Sequence, residues 1–157
     1  MRLPLQHLHI SVDSILSGLQ ADYARFCVGK KEQFVLKAIK VFLADDSEAV
    51  RQQLNRALSL IEGYTLVGTS GGNGKATEMI RELKPDVVVL DISMPHREGI
   101  RVLREIREEV PLAQIIIFTA DPSVVLQEVC LEAGADYYLD KTQIQDLIDI
   151  MSMQSAD

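Results

Sequence analysis

The chain has 157 residues, 47% hydrophobic and 25% charged, with a formal net charge of −7. That length suits one domain whose core stands without disulfides or a structural metal. The apolar fraction excludes a disordered chain, 9 Gly and 5 Pro exclude a fibrous one, and no apolar run approaches the roughly 18 residues of a membrane span.

Met1–Ile10 lacks the uninterrupted apolar core expected of a secretory signal, with His7 and His9 inside it. No Cys, Asp or Glu stands near that His-x-His pair to complete a metal site. Cys27 and Cys130 fit no metal or redox spacing and read as reduced packing residues of a cytosolic protein. Val12, Ile15, Leu16, Leu19 and Tyr23 could line one face of a short helix ending before Gly29. Residues 1–38 carry 5 basic and 3 acidic side chains, whereas residues 39–157 carry 11 and 20, a net of −9. A segment so acidic is a poor candidate for direct nucleic-acid binding, which rests on clustered Lys and Arg.

From Ile39 onward, short apolar runs alternate with helical spacings. The runs are Ile39–Ala44, Tyr64–Thr69, Val87–Leu90, Ile115–Phe118 and Tyr137–Leu139. Their β-branched residues and lack of polar alternation predict strands covered on both faces. Between and after them come five predicted helices. Their apolar faces are Val50, Leu54, Leu58 and Ile61; Ala76, Met79, Ile80 and Leu83; Ile100, Leu103 and Ile106; Val125, Val129 and Ala133; and Ile144, Leu147, Ile148 and Met151. Ser47, Asp121 and Thr142 are placed to cap helices, with Pro122 in a first turn. Gly63, Gly134, Pro85 and Pro111 mark helix ends. In the third predicted helix, Arg101–Glu105 and Arg104–Glu108 are pairs four residues apart, so the arginine cluster with Arg97 and Arg107 reads as a solvated face. The pattern predicts a (βα)₅ α/β chain: an open parallel sheet with right-handed crossovers and helices on both faces.

In such sheets the functional crevice lies at the carboxyl ends of the strands. There the first strand ends in Asp45-Asp46, the third in Asp91 and the fourth in Thr119, and Lys141 follows the fifth. Three neighbouring carboxylates repel one another and need protonation or a cation. Oxygen ligands suit a hard divalent ion, and Mg²⁺ is the natural choice because it takes few protein oxygens. Three Asp, Mg²⁺ and Lys141 sum to zero charge. Such a site can receive a phosphoryl group, with one carboxylate as nucleophile and Thr119 as an added donor.

With these residues in place, the segment 38–154 resembles the receiver domain of two-component response regulators. The resemblance is carried by Val41-Phe-Leu-Ala-Asp-Asp46, by Val87-Val-Val-Leu-Asp-Ile-Ser-Met-Pro95 with Gly99, by Ile117-Phe-Thr-Ala120 and by Ala133-Gly-Ala-Asp-Tyr-Tyr-Leu-Asp-Lys141. It implies a flavodoxin-like sheet of strand order 2-1-3-4-5. It further implies Asp91 as phosphoacceptor from a histidine kinase or a histidine phosphotransfer protein. The implied Mg²⁺ ligands are Asp46 directly, Asp45 through water, Asp91, and the backbone carbonyl of Ser93. Lys141 would pair with the phosphoryl group, Thr119 would move toward it, and Tyr138 would turn inward behind it. Such coupling would reshape the face of the fourth helix, fifth strand and fifth helix, where a downstream protein would bind.

The likeness sets a domain at 38–157 and leaves 1–37 as an N-terminal extension. A tail, a docked helix and a misassigned start codon stay open for that extension. Only 16 residues follow Lys141, so the expected output is a protein partner or an onward phosphorelay step, not a DNA-binding or enzymatic domain, nor a membrane. Whether phosphorylation drives homodimer formation is left open. Thr142 stands where many relatives have proline, which predicts a looser turn. The glycine-rich loop Thr69–Thr77 lacks the P-loop pattern and reads as a flexible connection. His96 reads as an exposed loop residue that could tune phosphate lifetime. A competing enzymatic reading is an aspartyl-phosphate phosphohydrolase. It would want a second carboxylate two residues after the nucleophile, where Ser93 stands. A flavin carrier would want a Ser/Thr/Gly phosphate loop where Asp45-Asp46-Ser47 stands.

Overall fold

Each strand is apolar at successive positions because the two sides of the sheet serve two separate cores. The computed structural model describes residues 38–71, 74–93 and 99–154. The proposed extension 1–37, with its candidate helix, His7, His9 and Cys27, lies outside them, as do His96, Arg97, Gly72 and Asn73. The strands are β1 (Ile39–Ala44), β2 (Tyr64–Ser70), β3 (Val87–Leu90), β4 (Gln114–Thr119) and β5 (Tyr137–Asp140). The helices are α1 (Glu48–Leu58), α2 (Ala76–Leu83), α3 (Gly99–Glu109), α4 (Val124–Glu132) and α5 (Ile144–Gln154). All strand pairs are parallel and the order is β2-β1-β3-β4-β5, as the resemblance implied.

Side chains alternate across the pleat. Phe42, Val88, Leu90, Ile115 and Ile117 join Ile80 of α2, Leu103 and Ile106 of α3 and Cys130 of α4 in one cluster. Val41, Leu43, Val87, Val89, Ile116 and Phe118 join Leu54 of α1 and Leu147 and Met151 of α5 in the other. Beside β1 the β2 register shifts between Val41 and Phe42, which sets Gly68 opposite Phe42. A Cβ there would lie 2.9 Å from the Phe42 ring and 2.8 Å from Leu83, so glycine lets the ring fill the space.

Several local expectations are corrected. Ser47 caps α1 by accepting the Val50 N–H at 3.4 Å, as read from the sequence. The α4 cap is Ser123, which accepts from Leu126 at 3.3 Å, because its hydroxyl directly precedes the first helical residue. Asp121 instead accepts the Ser123 N–H at 2.9 Å, and Pro122 precedes the helix rather than starting it. Thr142 caps nothing: its N–H and hydroxyl both bond the Asp140 carboxylate, at 2.8 and 2.5 Å, since that charged acceptor lies two residues away. Gln143 also accepts the Asp140 N–H at 2.9 Å, so three hydrogen bonds close the turn expected to be looser. The side of α4 turned to the core is Leu126 and Cys130, four residues apart, followed by Ala133 at the helix end, so Val125, one position round the helix from Leu126, is left 70% exposed. Helix α1 ends at Leu58, ahead of Gly63, and Ile61 reaches the core from a turn.

Candidate functional site

The sheet ladders run one residue past the strands at their carboxyl edge. The Asp45 N–H bonds Ser70 at 3.0 Å, the Asp91 N–H bonds Ala44 at 2.7 Å and the Lys141 N–H bonds Thr119 at 2.8 Å. Parallel pairing thus fixes the backbones of the charged residues before any side-chain contact is made. The predicted site residues Asp45, Asp46, Asp91, Thr119 and Lys141 stand on this edge, with Ser93 just beyond β3.

Asp45 and Asp91 are held in the same way. The Oδ1 of Asp45 accepts the Ser47 N–H at 2.8 Å, and the Oδ1 of Asp91 accepts the Ser93 N–H at 2.8 Å. Their Oδ2 atoms converge on one ammonium, with Lys141 Nζ 2.8 Å from Asp45 and 2.7 Å from Asp91. The two carboxylates are 4% and 2% exposed, so this counter-charge acts with little solvent screening. Burial pushes the Asp45 carboxyl above its ordinary range, against the pull of Lys141 and the Ser47 N–H. For Lys141 burial works against the charge, but hydrogen bonds to Asp45 and Asp91 outweigh it and raise its pKa.

Asp46 is exposed at the rim. Carboxylate oxygens of Asp45, Asp46 and Asp91 all lie within 4.8 Å of one another. Three hard oxygen donors, two of them buried, form a set suited to a divalent cation such as Mg²⁺ and poor for a soft metal. Lys141 touches one oxygen of each buried acid, which leaves the Asp46 carboxylate available at the entrance.

Thr119 is fully buried at the end of β4. Its Oγ1 lies 2.6 Å from Ser93 Oγ, and the Asp121 N–H points to it at 3.4 Å. Tyr138 on β5 donates its hydroxyl to the Asp121 carbonyl at 2.6 Å, so Thr119 and Tyr138 meet the same backbone residue from two sides. Burial, helped by the Asp121 charge, pushes the Tyr138 phenol up to about 12. Tyr138 packs on the α2–α3–α4 core, while its neighbour Tyr137 is 40% exposed.

Two contributors escaped the sequence reading. Arg51 of α1 donates to the Asp45 carbonyl and pairs with Glu48, holding the turn that carries the acids. Only the Glu48–Arg51 spacing hinted at this. The side-chain bond from Ser93 to Thr119 joins residues 26 apart and had no local signal.

Comparison with known proteins agrees with this geometry. The family model of the response regulator receiver domain matches residues 41–152. The chain is 39% identical over 104 residues to the response regulator MprA of Mycobacterium ulcerans, covering 66% of this chain and 44% of that one. The chain therefore spans less than half the length of the curated relatives it matches. A two-component response regulator of the LuxR family from Aurantimonas superposes with a TM-score of 0.68 at 31% identity, covering 74% of this chain and 84% of the other. A CheX–CheY complex with BeF₃ and magnesium from Borrelia burgdorferi matches with a TM-score of 0.63 at 26% identity, covering 72% and 89%.

Proposed function

The chain belongs to the response regulator receiver domain family, and on that premise we propose that it accepts a phosphoryl group on Asp91. The donor is a histidine kinase or a histidine phosphotransfer protein, and the work is done in the cytoplasm. The observation that carries this reading is the convergence of Asp45 and Asp91 Oδ2 on Lys141 at 2.8 and 2.7 Å, beside the Asp46 rim.

Asp91 Oδ1 already accepts the Ser93 N–H, so Oδ2 is the oxygen presented for attack. A bond forms from Oδ2 to phosphorus while the phosphorus–nitrogen bond of the donor breaks, and the imidazole leaves with its electron pair. Asp45, Asp46, Asp91 and the Ser93 carbonyl would hold a Mg²⁺ ion that offsets charge on the phosphoryl oxygens. Lys141 gives up part of its contact with Asp91 and pairs with the incoming group. Thr119 then donates its hydroxyl to a phosphoryl oxygen, and Tyr138 follows inward. The chain catalyses its own phosphorylation and dephosphorylation and no other reaction.

Output in this proposal is a protein contact on α4, β5 and α5, where Val124, Val125 and Tyr137 are 66%, 70% and 40% exposed. The net charge of −9 over residues 39–157 argues for such a partner and against nucleic acid. Among the described residues no helix is long and apolar enough to cross a membrane.

Incubation with acetyl phosphate, with and without Mg²⁺, tests the phosphoacceptor directly. One phosphoryl adduct mapped to Asp91 by mass spectrometry is expected, dependent on Mg²⁺ and absent from Asp91→Asn. An adduct that persists at an equal level in Asp91→Asn would sink the assignment.

A further inference from the structure

Thr119 has one hydroxyl proton and so can donate one hydrogen bond. Its oxygen lies 2.6 Å from Ser93 Oγ, a short distance for two neutral hydroxyls. The Asp121 N–H approaches the same Thr119 oxygen at 3.4 Å. That N–H uses a lone pair, and the arrangement that satisfies every group has Thr119 donating to Ser93. The two partners differ in exposure. Thr119 is fully buried, whereas Ser93 stands at the exposed lip of the site. A Ser93 that loses its partner is rehydrated at once, but a buried Thr119 that loses Ser93 has no solvent to replace it.

We propose that the Ser93 side chain is a latch that holds the Thr119 hydroxyl in the unphosphorylated arrangement. The proposal rests on Asp91 being the phosphoacceptor and deepens that reading by naming what resists the switch. A phosphoryl oxygen and Ser93 Oγ compete for the one Thr119 proton. Turning toward the phosphoryl group therefore costs the Ser93 bond, and also releases the Asp121 N–H whose carbonyl receives the Tyr138 hydroxyl. Ser93 acts through Thr119 and is a positioning residue. Its backbone carbonyl and N–H keep their separate tasks when the side chain is changed.

Removing the latch destabilises only the unphosphorylated arrangement, so the site should take a phosphoryl mimic more readily. Loss of one neutral hydrogen bond corresponds to roughly a two- to tenfold change in an equilibrium constant. The probe is beryllofluoride with Mg²⁺, its affinity read by fluorine NMR of the bound fluoride, on the full chain. Ser93→Ala should bind roughly two- to tenfold more tightly than the parent, and Ser93→Thr, which keeps a hydroxyl, should match the parent. In a Thr119→Val background, Ser93→Ala should change nothing, a result that a merely structural effect of Ser93 would not produce.

Unchanged or weaker binding by Ser93→Ala overturns the latch, as does equal tightening in the Thr119→Val background. If the parent chain also forms the acetyl phosphate adduct on Asp91, such a result removes the latch alone. If the parent neither forms that adduct nor binds beryllofluoride, the phosphoacceptor reading falls and the latch with it.

Discussion

At the scale of single residues, the site is a problem of unlike charges in a confined place. Asp45 and Asp91 are almost wholly buried, and Lys141 is the cation that both touch. Taking away one partner of a buried ionic cluster leaves charge without compensation, which costs far more than the cluster contributes as a whole. Lys141→Met should therefore lower stability at pH 7 by about 2–4 kcal/mol, measured by urea denaturation. The pH dependence has a definite sign. Burial raises the Asp45 carboxyl in the folded chain, so above the ordinary carboxylate pKa the folded state binds more protons than the unfolded state. Stability then rises as pH falls through that window. Without Lys141 the raising effect is no longer opposed, so the variant's deficit should shrink between pH 7 and pH 5. A deficit that grows on acidification would contradict this account of Lys141.

At the scale of elements, the packing of α3 against the β5 end of the sheet depends on Arg107. Its sequence context suggested one more solvated arginine beside Arg101, which does pair with Glu105 on the helix surface. Arg107 instead donates to the Gly134 carbonyl at 2.9 and 2.6 Å, to Pro111 and Ala113 at 3.0 and 2.7 Å, and to Asp136 at 2.7 Å. Asp136 also accepts the Ile115 N–H at 2.7 Å, so one guanidinium ties the turns before β4 and β5 together. Gly134 has φ +108, and a Cβ there would sit 2.9 Å from Arg107 Cγ, so a side chain would be strained and would push the arginine away. A lysine cannot reproduce a planar fork that serves several acceptors. Arg107→Lys should cost about 1–3 kcal/mol in thermal or urea unfolding. A loss below a few tenths would show that solvent replaces these bonds freely.

At the scale of the whole molecule, the sheet acts as a frame that brings distant residues to one edge. Asp45 and Asp91 are 46 positions apart and Asp91 and Lys141 are 50 apart, and they meet because β1, β3, β4 and β5 run parallel in adjacent registers. A cation bound there by the folded state alone stabilises the entire fold by mass action. Mg²⁺ at about a hundred times its dissociation constant should add about 2.7 kcal/mol, read as a rise in Tm that a chelator reverses. Asp46→Asn should reduce that gain. A Tm indifferent to Mg²⁺ in the parent chain would argue against a cation site on this edge.

Much of this was legible in the one-dimensional pattern, and for a local reason. A strand buried on both faces must be apolar at every position, so Val87–Leu90 and Ile115–Ile117 identify themselves wherever they lie in space. Polar residues at the ends of such runs, Asp45, Asp46, Asp91 and Thr119, are conspicuous for the same reason. Helix starts were less secure. Asp121, Pro122 and Thr142 are all good cap or first-turn residues, and only the chain's path decides whether Ser123 or a carboxylate two residues away takes the bond.

The sequence by itself determined the class of fold, the edge that carries the chemistry and the charges gathered there, because those follow from periodicity and residue type. Only the tertiary structure decided which atoms meet. Both Asp45 and Asp91 spend Oδ1 on their own turn and turn Oδ2 to Lys141, the half-buried Arg107 bonds four residues across two turns, and Ser93 reaches Thr119. These contacts join residues far apart in the chain, and their geometry is set by strand register and burial rather than by any neighbouring residue.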